Sequence, residues 1–399
     1  MIYKILLIIA IILATIMTLY GLYYAYIALH FFKARKGFPS SKNFNKFAIL
    51  VAARNEEAVI KDLVHSLVNQ NYPKDKFDVI VMPNNCTDHT KEAAQEAGAL
   101  TFEPPLPVRS KGEVLHQTLD HLMKSKYYDA YIVFDADNIA DKNFVLEMNK
   151  AFEAGYDAAI GFRDSKNPHS TYMSSAYSIF YLVISTFYNK ARFALGMNPL
   201  ITGTGFMISN KKLEELGGWN TYTITEDVEL TLQLSLRGDK IAYVSKAITY
   251  DEQPEDNKQA WHQRLRWSIG SQQNFKLMGR RLLESFKNST GKNTLDMYIM
   301  LLATYMQIFG LIAGIIGFVA LFFTNIKLFI FWLLVSTIGL AILQAILSFV
   351  CLKVCNKPIK PNLKGILTMW FFTLSWMPLH IIALFKDDIE WKEIEHKSN

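Results

Sequence analysis

Two carboxylates separated by one residue, Asp135 and Asp137, follow directly after the β-prone run 131–134. In an open α/β sheet, ligands bind outside the carboxyl ends of the strands, which is where these side chains are expected. Two hard oxygen donors this close together suit Mg²⁺ or Mn²⁺, which favour carboxylate and phosphate oxygens. A polar turn after the strand is the alternative interpretation, because aspartate is common in turns.

Three further stretches carry residues that could take part in the same chemistry. Residues 202–205 read Thr-Gly-Thr-Gly, and the glycines allow the backbone to approach a ligand closely. A second acidic pair, Glu226 and Asp227, opens a segment with leucines at helical spacing. A Gln-Arg-Leu-Arg-Trp cluster, residues 263–267, lies in another helical stretch. These groups are far apart in the chain, so the fold must bring them together.

The hydrophobic pattern from residue 47 to residue 162 predicts alternating strands and helices. Short buried runs predict strands at 47–53, 77–82, 100–102, 131–134 and 157–162. Amphipathic periodicity predicts helices at 59–67, 88–98, 115–122 and 144–152. Strands that alternate with helices in this way indicate a parallel, doubly wound sheet.

Long uncharged runs predict membrane helices, in a chain of 399 residues that is 51% hydrophobic. Each run meets or exceeds the ~18 residues expected of such a helix, and the runs are 5–29, 299–323, 328–350 and 365–385. The first run has no clear cleavage site, so we interpret it as a retained anchor. Pro378 interrupts the last run and favours a re-entrant or interfacial segment over a full span.

Charge close to these runs predicts the orientation of the chain. Lys33, Arg35 and Lys36 follow the first run, so the positive-inside rule places the next segment in the cytoplasm. The formal net charge of +6 fits attraction to an anionic inner leaflet. No basic run is long enough to indicate nucleic acid binding. We therefore expect a multi-pass protein of the plasma membrane.

The same patterns predict a division into three parts. Residues 1–36 form an N-terminal transmembrane anchor, residues 37–285 a cytoplasmic catalytic domain, and residues 286–399 a C-terminal transmembrane region with a short tail. Within the catalytic part, residues 174–195 mix aromatic and polar side chains, which favours an amphipathic helix at the membrane interface. A helix of the protein core is the alternative for this segment.

In their order and spacing, these motifs resemble those of the family 2 glycosyltransferases. Within that family they are similar to the membrane-embedded β-glycan synthases, which include cellulose, hyaluronan and chitin synthases. The resemblance covers roughly residues 47–267 and the flanking membrane helices. It implies an α/β catalytic domain of the Rossmann-like GT-A type in the cytoplasm, with N-terminal and C-terminal transmembrane helices and amphipathic interface helices.

The resemblance also implies roles for individual residues. Asp135 and Asp137 match the Asp-x-Asp that holds the divalent metal, Mg²⁺ or Mn²⁺, and Asp227 matches the catalytic base. The residues implied at the nucleotide-sugar are Glu56, Asn84, Lys111, Asp135, Arg264 and Arg266. The residues implied at the acceptor are Gln263, Trp267, Thr204, Gly205 and Glu226. Asn84 departs from the family pattern, which usually has aspartate there, although an amide can still donate to and accept from a uracil edge.

We therefore expect an inverting transferase that takes sugars from a UDP-sugar, with UDP-glucose as the expected donor. The expected product is an extracellular β-linked polysaccharide, and its synthesis is coupled to export. The growing polysaccharide and the lipid bilayer are expected partners, together with accessory subunits or further copies of the chain. Two alternatives stay open. One is a non-processive transferase that adds one sugar to a lipid acceptor, and the other is a non-catalytic membrane protein that binds nucleotide-sugars.

Overall fold

The computed structural model describes residues 2–33, 37–287 and 291–389. Arg35 and Lys36, which contributed to the predicted orientation, lie outside the described residues.

One mixed sheet forms the centre of the catalytic part. Its strands are β1 (Phe47–Ala53), β2 (Phe77–Pro83), β3 (Leu100–Thr101), β4 (Ala130–Asp135), β5 (Ile139–Ala140), β6 (Ala158–Ser165), β7 (Phe206–Ser209) and β8 (Ile241–Asp251). Their spatial order is β3-β2-β1-β4-β7-β6-β8-β5. The pairs β1–β2, β1–β4, β2–β3 and β6–β8 are parallel, as alternating strands and helices predict.

The expectation of a wholly parallel sheet is wrong because β7 runs antiparallel to both of its neighbours, β4 and β6. The chain reaches β7 through residues 202–205, at the edge of the sheet where β4 ends. The amide of Gly205 donates to the carbonyl of Val133 at 2.8 Å, and β7 then runs back along β4. This reversal places the Thr-Gly-Thr-Gly loop beside Asp135.

Helices cover both faces of the sheet and continue into the apolar regions. In chain order they are α1 (Ile2–Ala28), α2 (Ile60–Val68), α3 (Thr90–Glu96), α4 (Lys111–Met123), α5 (Phe144–Glu153), α6 (Tyr172–Val183), α7 (Ala191–Ala194), α8 (Asn210–Leu216), α9 (Glu226–Arg237), α10 (Asn257–Ser285), α11 (Gly291–Leu301), α12 (Ala303–Thr324), α13 (Ile326–Val354), α14 (Leu363–Leu374) and α15 (Met377–Phe385). The helices α2, α3 and α5 bury their apolar residues on one face of the sheet, and α4, α8 and α9 do so on the other. The predicted end of the catalytic part, residue 285, coincides with the end of α10, while the three-part division itself stays a prediction.

By length and composition, four helical segments of the described chain can cross a membrane, and they correspond to the four predicted runs. These segments are Ile5–Lys33, Ala303–Thr324, Ile326–Val354 and Lys360–Phe385. The last one is broken between α14 and α15, just before Pro378. Pieces of 12 and 9 residues are each too short to cross ~30 Å of hydrocarbon.

Both ends of this broken segment bond to the catalytic part. Before α14, the ammonium of Lys357 pairs with Asp164 at the end of β6. After α15, the carbonyl of Asp387 accepts from Gln273 of α10 at 2.8 Å. The segment therefore begins and ends on the side of the molecule that carries the sheet, in agreement with a re-entrant hairpin. Its depth in a bilayer stays a prediction.

Residues 174–195 form a buried helix, so the core alternative describes this segment better than an exposed amphipathic helix. α6 continues through a π-helical turn, Ile184–Lys190, into α7. The polar residues Ser174, Ser178 and Asn189 are all buried. α6 packs between the sheet, α13 and α14, because small serines allow close approach.

A buried ion pair joins the membrane anchor to the catalytic part. Arg192 donates from Nε to Asp296 Oδ2 at 2.8 Å and from Nη2 to Oδ1 at 3.1 Å, and both side chains are fully buried. Tyr23 of α1 donates to the same carboxylate at 2.7 Å, and the guanidinium carbon lies 3.4 Å from the ring centre of Tyr188. Elements from α1, the π-helical turn, α7 and α11 therefore meet at two opposite charges.

We predict that Asp296→Asn strongly destabilises the protein, because it leaves the guanidinium of Arg192 buried without a counter-charge. Breaking a buried pair in this way costs about 3–5 kcal/mol. Thermal unfolding of the detergent-solubilised protein measures the effect. The matched control is Glu284→Gln, which breaks the exposed pair with Arg280 and should leave the melting temperature unchanged. Equal shifts for the two variants would contradict a structural role for the buried pair.

Candidate active site

The loop between α7 and β7 brings two of the predicted acids to one point. Gly203 has φ +72°, a conformation that glycine adopts without strain. An ideal Cβ built on Gly203 would lie 3.5 Å from Asp227 Oδ2 and 3.6 Å from Asp135 Oδ2. Strand β4 supplies one of these carboxylates and helix α9 the other. The fold therefore gathers Asp135, Gly203 and Asp227 at one edge of the sheet.

Lys111, the first residue of α4, lies between these acids. Its ammonium donates to Asp135 Oδ1 at 2.5 Å and to the carbonyl of Gly203 at 2.6 Å. Ser110 caps the helix by accepting from the amide of Glu113, which fixes where α4 begins. These contacts place Lys111 beside Asp135, while its role at the nucleotide-sugar stays a prediction.

Thr204 and Gly205, both expected at the acceptor, support the loop in the structure, and their contact with an acceptor stays a prediction. Thr204 is buried, its hydroxyl accepts from the amide of Asp135 at 3.1 Å, and it donates to the side chain of Asn138. A Cβ on Gly205 would lie 2.6 Å from Thr249 Cγ2. These residues hold the turn that follows β4 against the loop.

Helix α10 holds the start of α9, where the second acidic pair lies. A Cβ on Gly270 would come within 2.5 Å of the Thr225 side chain, so only glycine permits this approach. Asn274 donates to the hydroxyl of Thr225 at 2.9 Å, and Gln273 accepts from the amide of Ile224 at 2.9 Å. The segment immediately before Glu226 is thus fixed by one face of α10.

The crowding of acids changes their protonation equilibria. Burial raises the pKa of Glu226 to about 7, and the charge of Asp227 raises it too, whereas Lys111 lowers it. Burial also raises the pKa of Asp227, against the amide of Val228 and the ammonium of Lys111, which lower it. Although burial lowers the pKa of Lys111, Asp135 and Glu226 raise it by more. Because Glu226 and Asp227 are adjacent and both buried, the charge of one raises the cost of ionising the other.

Asp137 lies two residues beyond the end of β4, with its carboxylate accepting from Asn138 Nδ2 at 3.0 Å. Both Asp135 and Asp137 are partly exposed, and they present hard oxygen donors of the kind that Mg²⁺ and Mn²⁺ prefer. The described residues contain no group of three or more histidine, cysteine or acidic side chains arranged around one metal position. The donor set therefore fits a cation that takes its remaining ligands from diphosphate oxygens and water.

The turns after β1 and β2 lie side by side, and their role as a nucleotide site stays a prediction. Each contains an asparagine in the left-handed region, with φ 55° at Asn55 and φ 50° at Asn85. Asn55 Oδ1 accepts from the amide of Thr87 at 2.7 Å, which joins the two turns. Asn84 donates from Nδ2 to the carbonyl of Ala53 at 2.9 Å, which leaves its carbonyl oxygen as an acceptor for a ligand.

Glu56 follows the first of these turns. Its amide donates to the hydroxyl of Thr90 at 2.8 Å, at the start of α3. Asp88 accepts from the amide of Glu57 at 3.1 Å and from Thr90, so it acts as a structural cap in the described chain. Burial raises the pKa of Asp88, but these hydrogen bonds lower it by more.

Arg163 and Tyr181 belong to the site, although the sequence analysis did not single them out. Arg163 lies just after the β-bulge of β6. It pairs with Asp251 and donates to the carbonyl of Thr202 at 2.8 Å. Its charge lowers the pKa of Asp227, and its guanidinium carbon lies 4.0 Å from the ring centre of Tyr181. An arginine in a strand that ends at the ligand edge of the sheet is the signal that would have indicated this role.

The Gln-Arg-Leu-Arg-Trp cluster lies on α10, where Gln263, Arg266, Trp267 and Gly270 share one face at helical spacing. Gln263 Oε1 is buried without a hydrogen-bond partner among the described residues. Arg266 makes no ion pair within the described chain. Further along α10, Gly270, Gln273 and Asn274 contact the segment that precedes Glu226.

Trp267 is surrounded by aromatic rings. Its ring centre lies 6.2 Å from that of Tyr177, 6.3 Å from that of Tyr181 and 6.1 Å from that of Trp376, with the two indoles nearly parallel at 26°. Because Tyr181 also contacts Arg163, the aromatic cluster adjoins the acidic cluster directly. Aromatic faces of this kind suit the apolar faces of sugar rings.

The expected contact between Arg264 and a diphosphate differs from what the structure shows. Arg264 is buried, and its Nη1 donates to Ser375 Oγ at 2.6 Å and to the carbonyl of Phe372 at 3.3 Å. These partners belong to the end of α14 and the break that follows it. Burial lowers the pKa of this guanidinium. Arg264 therefore anchors the broken segment on α10, while the role of Arg266 at the diphosphate stays a prediction.

Taken together, the site can bind a charged diphosphate and accept a proton from a nearby hydroxyl. Lys111 and Arg163 carry positive charge beside the carboxylates, and Asp135 and Asp137 present oxygen atoms of the kind that bind divalent metals. Burial raises the pKa of Asp227, a carboxylate of the type that acts as a general base. The aromatic rings around Trp267 adjoin this group.

The chain is similar to several named glycosyltransferases and synthases. It is 27% identical over 387 residues to the probable glycosyltransferase YdaM of Bacillus subtilis, covering 90% of this chain and 89% of the relative. It is 23% identical to the poly-beta-1,6-N-acetyl-D-glucosamine synthase of Staphylococcus epidermidis, covering 83% and 80%. It is 28% identical to the beta-monoglucosyldiacylglycerol synthase of Nostoc, where the match covers 65% of this chain but only 55% of the relative.

The fold is similar to that of the mannosyltransferase PcManGT from Pyrobaculum calidifontis, solved with GDP-Man and Mn²⁺. The TM-score is 0.68 at 18% identity, over 96% of this chain and 100% of that one. This likeness confirms the predicted GT-A fold, with the mixed sheet in place of a wholly parallel one. The model of the family described as glycosyltransferase like family 2 matches residues 45–270. Because this match covers more than half of the chain, the protein is a member of glycosyltransferase family 2.

Proposed function

We propose that this enzyme transfers sugars from a UDP-sugar to the growing end of a β-linked polysaccharide and inverts the anomeric carbon. The observation that carries the proposal is the convergence of Asp135 and Asp227 on Gly203, beside Lys111, Arg163 and an aromatic platform. The reaction takes place at the cytoplasmic face of the plasma membrane, where nucleotide-sugars are supplied.

The donor lies with its diphosphate at the end of β4 and its base in the paired turns after β1 and β2. Asn84 offers an amide oxygen to the uracil N–H, and Lys111 lies against the diphosphate. Asp135 and Asp137 hold Mg²⁺ or Mn²⁺, which when bound offsets the negative charge that develops on the leaving group. Arg163 and Arg266 stabilise the same charge from the acceptor side.

Asp227 accepts the proton of the acceptor hydroxyl as that oxygen attacks the anomeric carbon. The bond from this carbon to the diphosphate oxygen breaks, and UDP leaves with the bonding electron pair. A single displacement inverts the carbon, so an α-linked donor gives a β-linkage. The mechanism needs no second carboxylate as a covalent nucleophile, in contrast to a retaining hydrolase.

The acceptor lies over Trp267, between the aromatic cluster and Asp227. A platform of several rings fits a chain of sugars better than a single headgroup, which favours polymerisation. A relative named for polysaccharide synthesis matches along most of both chains, which supports this choice. UDP-glucose is the proposed donor, in keeping with the glucosyl product in the name of the Nostoc relative.

One observation favours a second candidate, the transfer of a single sugar to a lipid. Three of the four candidate spans are at most 6% buried over their most apolar window, so their surfaces face outward. Export of a polymer would therefore need further copies or other subunits to complete a passage. Transfer to a lipid needs no passage, and the Nostoc relative is named for a glycosylated lipid.

Loss of the base is the first test. Asp227→Asn should lower kcat by ~10²–10⁴-fold, the typical contribution of a positioned general base. Binding of the UDP-sugar, measured by titration calorimetry, should change little because the substituted group faces the acceptor. Asp120→Asn, at an exposed ion pair on α4, is the matched control and should keep full activity. Full activity of Asp227→Asn would overturn the assigned base and revive a non-catalytic function.

Removal of the metal is the second test. EDTA should abolish transfer, and Mn²⁺ or Mg²⁺ should restore it. Asp137→Asn should raise the metal concentration needed for half-maximal activity by at least ~10-fold, because loss of even a supporting partner weakens metal sites by that much. Activity that survives chelation in the wild type would contradict a metal at these two aspartates.

The product decides between the two acceptors. The purified enzyme in lipid nanodiscs, given radiolabelled UDP-glucose and Mn²⁺, should make long chains that a β-glucanase degrades. Trp267→Ala should shorten these chains and raise the KM for the acceptor, while the KM for the donor stays within a few-fold. Organic-soluble products that carry one sugar, with unchanged yield in Trp267→Ala, would instead establish the lipid as acceptor.

A further inference from the structure

A cavity lies where the end of the N-terminal candidate span meets the end of α7 and the start of β8. Its volume is about 270 Å³, and we call it the juxtamembrane pocket. Its lining residues are Lys33, Tyr156, Phe193, Ala194, Gly196, Met197, Asn198, Lys240 and Ile241. None of the residues assigned to catalysis lines it.

The polar lining of the juxtamembrane pocket is cationic. Lys33 and Lys240 are both exposed and take part in no ion pair within the described residues. No acidic side chain is among the lining residues. Asp239, the nearest acid in the sequence, pairs with Lys212 at 2.7 Å and with Arg237 at 3.5 Å. Two lysines on separate segments therefore leave their charge uncompensated at one cavity.

The remaining wall is aromatic and apolar. The rings of Tyr156 and Phe193 line the pocket with centres 5.8 Å apart, and Phe38, which does not line it, packs against both. Met197 and Ile241 complete this wall and are buried. A cavity with cations at its mouth and apolar rings behind them matches a ligand that joins a phosphate to hydrocarbon.

The juxtamembrane pocket lies where the membrane itself can supply such a ligand. Lys33 is the last residue of the candidate span Ile5–Lys33. The neighbouring Leu29 and Phe32 are 67% and 74% exposed, as expected of side chains that face lipid. Lysines at the end of a span lie at the depth of phospholipid headgroups.

The floor of the juxtamembrane pocket is preformed. Asn198 is buried, its Nδ2 donates to Ser235 Oγ at 3.0 Å, and its Oδ1 accepts from the amide of Ile241 at 3.1 Å. The backbone amide of Asn198 donates to Asn293 Oδ1 at 3.1 Å, which joins this floor to α11. Because hydrogen bonds already fix these groups, binding of a ligand costs the protein little conformational entropy.

A lysine close to the C-terminal end of a helix, whether its own or a neighbouring one, can also stabilise that helix end. Here that role is already filled, because the amides of Gly196 and Met197 donate to the last carbonyls of α7 at 3.0 and 2.9 Å. At the end of α9, the amides of Gly238 and Asp239 do the same. The ammonium groups of Lys33 and Lys240 are therefore not needed at these carbonyls.

We propose that the juxtamembrane pocket binds the phosphate group of an anionic phospholipid, with Lys33 and Lys240 on the phosphate and the aromatic wall against the adjoining glycerol and acyl carbons. The bound lipid would seat the catalytic part on the inner leaflet. This site is independent of the sugar chemistry and holds for either acceptor.

The test measures lipid binding by the full-length protein, purified in detergent, by native mass spectrometry. The probes are phosphatidylglycerol and phosphatidylcholine of equal chain length. The wild type should retain phosphatidylglycerol preferentially, and the double variant Lys33→Gln/Lys240→Gln should bind it about 30-fold more weakly, given the usual attraction of each lysine to an anionic surface. Its affinity for phosphatidylcholine should match that of the wild type.

The matched control is Lys142→Gln/Lys211→Gln, which removes two exposed lysines outside the juxtamembrane pocket. If both double variants lose affinity for phosphatidylglycerol equally, the effect is one of overall charge and the proposal is overturned. Unchanged affinity in both variants would also overturn it. Equal melting temperatures in phosphatidylcholine show that the variants fold.

In a second arm, inorganic phosphate competes with the lipid. Displacement at micromolar phosphate would assign the site to free phosphate and overturn a lipid ligand, whereas resistance to millimolar phosphate supports it.

Discussion

Repulsion between carboxylates is the constraint on which the site depends. Asp135 and Asp227 face the same point beside Gly203, and Glu226 adds a third acid whose pKa is raised to about 7. Like charges this close destabilise one another unless cations offset them. Lys111 supplies one cation from α4 and Arg163 supplies another from β6. Every other element of the catalytic part can be understood as holding these charges in place.

The supports come from two directions. From the sheet, the antiparallel strand β7 keeps residues 202–205 against the end of β4. From the membrane side, α10 holds Thr225 through Gly270 and carries the acceptor motif on the same face. The buried pair of Arg192 and Asp296 then joins the anchor to this assembly. Removing either support would let the acids move apart, because the carboxylates repel one another and Lys111 and Arg163 offset that repulsion only while all of these groups are held in place.

Hydrophobic runs that stop at acids or asparagines predicted the positions of Asp135 and of the turns after β1 and β2. The sequence predicted the four membrane runs equally well, because a helix that crosses hydrocarbon needs a long uncharged stretch. β7 was missed because four residues are too few to show a period, and its direction depends on the loop before it. Arg264 and Arg266 could not be separated, since two residues on a helix point about 200° apart and the sequence does not reveal which side is buried. Arg163 has no motif of its own, and its role arises only from the place where β6 ends.

The continuity of α10 has a consequence for how the enzyme responds to its lipid surroundings. This helix of 29 residues is about 44 Å long, and it carries both Trp267 and the groups that fix Thr225. Bilayers of different thickness change the tilt of spanning helices at small energetic cost. α10 is not among the candidate spans of the described chain, but it packs against α11 and α15 of the C-terminal region. Because Trp267 and the residues that fix Thr225 lie within two turns of this one helix, a change in the tilt of the neighbouring spans moves them together. The spacing between nucleophile and base should therefore be the same in thin and thick bilayers.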